Sequence, residues 1–148
     1  MKKSIIIAAL FIGFTLTSTS CKEAISQKTS IIDSFITNYF ADTEVLAIIK
    51  DGLDYEVTLS DYTHIEFDGN LIGHLEWDEV DCKHASIYTE VPFNLVPAEI
   101  TDYVNRAHGT QTIVKIAKDT RGWEIELSNG IEIEFDANFN VTEIDYKK

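Results

Sequence analysis

A chain of 148 residues with 25 acidic against 12 basic side chains carries a formal charge of −13 at pH 7. That balance excludes a nucleic-acid binder, since phosphate recognition runs on basic patches; a basic protein partner or a plainly soluble surface remain as readings of it. Two cysteines, Cys21 and Cys82, exclude a disulfide-stapled scaffold.

The first 20 residues read as an export signal and not as fold. Lys2 and Lys3 supply the positive start, and the apolar run 5–14 has the length of a signal core. A spanning helix needs about 20 apolar residues, so a retained transmembrane segment is disfavoured. Thr17-Ser18-Thr19-Ser20 then leads into Cys21, which allows two endings. Cys21 is either the acylated first residue of a lipoprotein, or a plain thiol beside an ordinary cleavage site. In the second case a Cys21–Cys82 bridge can form in an oxidising compartment; in the first, Cys82 is left as a free thiol. Export places the chain in the periplasm or outer membrane, with secretion as the alternative. Losing residues 1–20, which hold two lysines and no acid, would take the charge to −15.

The first predicted helix presents Ile32, Phe35, Ile36, Tyr39 and Phe40 on one face, with Ser30 as N-cap. Strands follow from Glu44 to Asp51 and through Tyr55–Ser60 and Ile65–Asp68. Moving the chain 68 positions along itself then lays these segments on later ones. Ile32, Phe35 and Ile36 meet Ile100, Tyr103 and Val104; Tyr55–Ser60 meets Trp123–Ser128; and Ile65-Glu66-Phe67-Asp68 meets Ile133-Glu134-Phe135-Asp136. So many matches in one register read as a tandem duplication. The second copy opens at Pro97, shows Ile100, Tyr103, Val104 and Ala107 as its helix face, and stops at Gly109. Its strands are Gln111–Asp119, the alternating runs Trp123–Leu127 and Ile131–Asp136 joined by an Asn129-Gly130 turn, and Asn140–Tyr146. The expected fold is therefore α+β, a duplicated unit of one helix and about four antiparallel strands. Its divisions are a signal over 1–20, repeat one over 21–80, a linker over 81–96 and repeat two over 97–148.

The Asn129-Gly130-Ile131-Glu132-Ile133-Glu134-Phe135-Asp136 ending, the Val80-Asp81-Cys82-Lys83 segment, and Val91-Pro92 to Leu95-Val96-Pro97 resemble the PepSY-like, β-lactamase-inhibitor-like proteins. The resemblance covers nearly all of the chain after residue 20. It implies secreted or lipid-anchored proteins found mainly in Bacteroidota, with two helix-plus-sheet units whose concave face grips a partner. It does not carry β-lactamase inhibition across. The inhibitors of that fold have a disulfide in each repeat and an aromatic binding face, whereas this chain has two cysteines and an acidic face.

Within the second copy Glu124, Glu126, Glu132 and Glu134 alternate with the apolar residues, on the side the helix leaves wet. Acids opposite one another cost roughly 0.2–1 kcal/mol per pair. They are held either for a cationic partner or to protect the sheet from edge pairing. The matching positions of copy one are Glu56, Thr58, His64 and Glu66. His74, Glu76 and Asp78 alternate in a segment extra to the first copy, and Trp77 there is an exposed anchor candidate. Zinc-type Cys/His spacing is absent, so no metal or cofactor is expected. Cys82 has Lys83 and His84 beside it, but strand neighbours face opposite ways and make poor catalytic partners. Without a nucleophile-elbow, dinucleotide or zinc-protease motif, the expected role is non-catalytic binding of a protein or peptide partner, for which the acidic charge suits a basic one. An enzyme- or protease-inhibiting module is the first alternative, and a small hydrolase or thiol enzyme the second.

Overall fold

The computed structural model describes residues 19–71, 74–85 and 87–146, and for 19–28 and Ile87 the backbone alone. Residues 1–18 of the expected signal and the side chain of Cys21 lie outside the described residues.

Helix α1 spans Thr19–Tyr39, and the second helix, α2, spans Ala98–Ala107. Ser30 is not the N-cap expected of it; α1 runs through it from further upstream. Residues 22–28 contain neither proline nor glycine and are mostly good helix formers, so a serine has no break to cap. The buried stripe of α1 is Ile32, Phe35, Ile36 and, just past its end, Phe40. In α2, Pro97 is the N-cap, Ile100 and Val104 are buried, and Ala107 is exposed, off the face expected of it. Gly109 follows at φ 63°, the left-handed stop.

The described residues also form ten strands: β1 Val45–Asp51, β2 Asp54–Leu59, β3 His64–Gly69, β4 Leu75–Asp81, β5 Lys83–His84, β6 Ile87–Tyr88, β7 Ile113–Lys118, β8 Gly122–Leu127, β9 Ile131–Asp136 and β10 Val141–Tyr146. Eight of them form one antiparallel sheet in the order β1-β2-β3-β4-β7-β8-β9-β10, while β5 and β6 pair as a separate short hairpin. Asp81 thus ends β4, and the linker expected over 81–96 holds that hairpin and a 3-10 turn, Phe93–Leu95. One sheet face buries Val57, Leu59, Ile65, Phe67, Val80, Ile116, Ile125, Leu127, Ile133 and Phe135 in a single core with the helix stripes. At about 25 cal/mol per Å² of apolar surface, this burial is the main force holding the helices on the sheet. The fold is α+β, with a large antiparallel sheet and two helices on one face.

The pairing repeats along the chain. Tyr55↔Phe67, Glu56↔Glu66 and Val57↔Ile65 recur as Trp123↔Phe135, Glu124↔Glu134 and Ile125↔Ile133. β1 slips register between Val45 and Ala47, and β7 slips between Ile113 and Lys115. β4 skips Asp78 opposite β3, as β10 skips Thr142 opposite β9. Each slip is a β-bulge that strengthens the local twist.

Candidate functional site

The face away from the helices carries the unusual feature. Taken strand by strand, Ile49, Glu56, Glu66, Glu79, Ala117, Glu124, Glu134 and Glu143 stand opposite one another across all eight strands. Six of these eight positions are glutamates. The neighbouring row reads Ala47, Thr58, His64, Asp81, Lys115, Glu126, Glu132 and Asp145. Period-two alternation, shifted in phase at the bulges of β1, β4, β7 and β10, turns the apolar set to the helices and these acids to the other face.

Electrostatics mark this face as strained. Burial, then Glu79 and Glu56, push the Glu66 carboxyl above the ordinary range, while Lys115 opposes them. Glu124 is raised too, by burial first and by Glu132 and Glu134 among its neighbours. Lys115 answers part of this charge, reaching Glu79 at 2.9 Å. Asp78, at the β4 bulge, is pushed up to about 6 by burial and then by Asp68 and Glu66. Its buried Oδ1 meets no hydrogen-bond donor among the described residues.

The second copy is less wet than expected. Glu126 is only 5% exposed, because Lys83 from the β5–β6 hairpin lies over it with Nζ 2.5 Å from Oε2. Glu124 and Glu132 are half-buried, and Glu134 is exposed. Sequence reasoning missed the cover because Lys83 lies 43 positions away. It also missed Glu79 and Glu143, which the register adds to the row. An open hollow of about 400 Å³ lies along this part of the face, lined by Asp78, Glu79, Ala117, Lys118, Glu124 and Glu134 among others. Ala117 is the small residue in the row, and the hollow opens where it leaves room.

Trp77 does not join the acids. It is half-buried and turned to the core side, 6.2 Å from the Phe35 ring and 6.1 Å from Trp123, with Lys118 Nζ 4.5 Å above it. The exposed anchor expected at this position is instead part of an aromatic seam between the two helices' territories. His74 and Glu76 pair at 3.3 Å on the surface, apart from Asp78.

Cys82 is a buried free thiol, 4% exposed and pushed up to about 11 by that burial. Its sequence neighbours serve other partners: Lys83 goes to Glu126, and His84 stacks on Tyr62 at 4.3 Å. No group of three or more His, Cys, Asp or Glu side chains is placed to hold a metal ion among the described residues. Nor, among them, is any helix long and apolar enough to cross a membrane.

Comparison with known proteins places this architecture. The family model described as "Putative beta-lactamase-inhibitor-like, PepSY-like" matches residues 20–73 and again 54–143. Among solved structures, a "putative calcium-regulated periplasmic protein" from Bacteroides thetaiotaomicron is 35% identical, with TM-score 0.65, covering 77% of this chain and 87% of its own. A "putative periplasmic protein" from Bacteroides vulgatus is 36% identical with TM-score 0.65, covering 76% and 86%. A second from that organism, of unknown function, is 31% identical with TM-score 0.64, covering 77% and 88%. No curated protein matches. Matched over most of its length by the family model, and structurally alongside these periplasmic proteins, the chain belongs to the PepSY-like family.

Proposed function

We propose that this chain is an exported, non-catalytic envelope protein that binds a basic protein or peptide across the outer face of its sheet. The observation that carries this reading is the single row of six glutamates spanning eight strands. Their mutual repulsion costs folding free energy that an uncharged face would not, and a cationic ligand relieves it. The periplasmic relatives and the signal-like residues 1–20 support export, and the acylatable Cys21 supports a lipid anchor. The recurrence of register and bulges at matching places supports a tandem duplication, with repeats over 21–80 and 97–148 and the connecting segment 81–96 between them. The buried, weakly acidic thiol of Cys82 makes it a poor nucleophile, which supports a role without chemistry.

Affinity for a partner recovered from envelope extract tests the reading. Binding through this face weakens steeply between low and high salt, and a Glu66→Gln, Glu124→Gln, Glu134→Gln triple variant loses most of it. A complex indifferent to both changes removes the acidic row as the contact. Intact mass of the membrane-fraction protein separates a chain beginning at acylated Cys21 from an unmodified one.

A further inference from the structure

The two free edges of the sheet are the two halves of a junction the molecule already makes internally. β4 joins β7 through Glu79↔Ala117, Val80↔Ile116 and Asp81↔Lys115, and the Cys82 N–H donates to Val114 O at 2.8 Å. The counterpart of β7 is β1: both slip by one residue near their start, at Val114 and Leu46, before Ile116↔Ile125 and Ile48↔Val57. The counterpart of β4 is β10: after the skipped Asp78 or Thr142, Glu79 and Val80 face Glu66 and Ile65 as Glu143 and Ile144 face Glu134 and Ile133. β7 is flanked by β4 and β8, while among the described residues β1 has only β2, the counterpart of β8. The open side of β1 is therefore the side that β4 occupies on β7. By the same argument, the open side of β10 is the side that β7 occupies on β4.

Exposure agrees with this match. Leu46, Ile49 and Tyr146 on the free edges are 57%, 55% and 64% exposed. In the internal junction Val114 and Cys82, which stand in the places of Leu46 and Tyr146, are 0% and 4% exposed. Exposed edge strands are templates for pairing with another chain.

We infer that β10 of one copy of this chain pairs antiparallel with β1 of a second copy, Glu143 opposite Ile49, Ile144 opposite Ile48 and Asp145 opposite Ala47. The contact is heterologous, so every open assembly keeps one free edge of each kind and grows head to tail until it closes into a ring or extends as a filament. The occupant is a second copy because both edges carry the register of a junction this chain itself forms. The contact is weaker than its internal model. Ala47 stands where Lys115 reaches Glu79, and Val141 where Trp77 meets Lys118. Each copy also carries a charge of −13, or −15 without residues 1–20, so salt strengthens this contact by screening. Salt weakens the binding of a basic partner, and the inference does not rest on that reading.

Sedimentation velocity over a concentration series, at low and high salt, tests it. The expected result is a mass that rises past the dimer with concentration, more so at high salt. Ala47→Lys, which supplies the missing cation, tightens association roughly two- to five-fold, and Ile49→Glu abolishes it. In a Cys21→Ser background, Ala47→Cys and Asp145→Cys chains crosslink when mixed, and neither crosslinks with itself. A chain monomeric at every concentration and salt overturns the inference, as does association that survives Ile49→Glu or crosslinking within either single variant. Basic-peptide binding by such a monomer would still leave the acidic-face reading standing.

Discussion

Asp78 sits where a β-bulge turns its carboxyl toward Asp68 and Glu66, and its folded value of about 6 stands above an ordinary 3.8. The folded state therefore holds this proton more tightly than the unfolded chain does. Above pH 6 the charged carboxylate works against folding, and the penalty fades as pH falls from about 6 toward 4. The group is partly solvated, so the full shift overstates the effect; Asp78→Asn should stabilise the protein by about 1 kcal/mol at pH 8. Urea unfolding at pH 8 and pH 4 checks this, the gain being present at the first pH and largely absent at the second. Gly122 acts through space instead of charge. A Cβ there would strike the Phe135 carbonyl oxygen on the paired strand, so Gly122→Ala should cost about 2–3 kcal/mol by prising β8 from β9. An unchanged urea midpoint would show that the two strands yield. Cys82, buried and weakly acidic, should resist alkylation in the folded protein and react on unfolding, read by mass on the peptide that contains it.

The β5–β6 hairpin reaches the acidic face through Lys83 on Glu126, beside the stack of His84 on Tyr62. Replacing Lys83 with Met takes the cation from an almost buried carboxylate that already faces Glu132. The expected cost is about 2 kcal/mol, below the range for fully buried pairs because Lys83 keeps some solvent. Adding Glu126→Gln should recover most of it, and a double-mutant cycle by urea unfolding measures the coupling. A cycle with no coupling would mean that the hairpin is held by its backbone and the His84–Tyr62 stack. This element also shows what the sequence could reveal. Strands β8 and β9 and the turn at Gly130 were legible because period-two alternation and Asn-Gly are local signals. The hairpin's grip on Glu126 was not, since nothing local joins positions 83 and 126. The bulge at Asp78 was equally hidden. It changes the phase of β4, so Leu75 and Trp77 before it share the core side with Val80 after it. Unbroken alternation would instead have grouped Val80 with Glu76 and Asp78.

Across the whole molecule, like charges are aligned in one direction, strand after strand, with Lys115 as the cation placed within the two rows. Such a face stores repulsion that the apolar core must outweigh, and the burial-raised Glu66 and Glu124 are local signs of it. Screening should therefore stabilise this protein, opposite to a fold held by surface ion pairs. Raising sodium chloride from about 0.02 M to about 0.5 M shortens the screening length from roughly 20 Å to roughly 4 Å, less than the spacing between neighbouring strands, ~4.8 Å. The midpoint of thermal unfolding, followed by circular dichroism, should rise by several degrees. Glu66→Gln with Glu124→Gln should raise it at low salt and leave less for salt to add. Calcium chloride at matched ionic strength separates the two kinds of cation effect. An equal rise with both salts means screening alone. A larger rise with calcium, lost in the double variant, means that opposed glutamates take up the ion itself. A midpoint that falls with salt would mean that Lys83–Glu126 and Lys115–Glu79 outweigh the repulsion, and that the acidic row costs the fold too little to be explained by a partner.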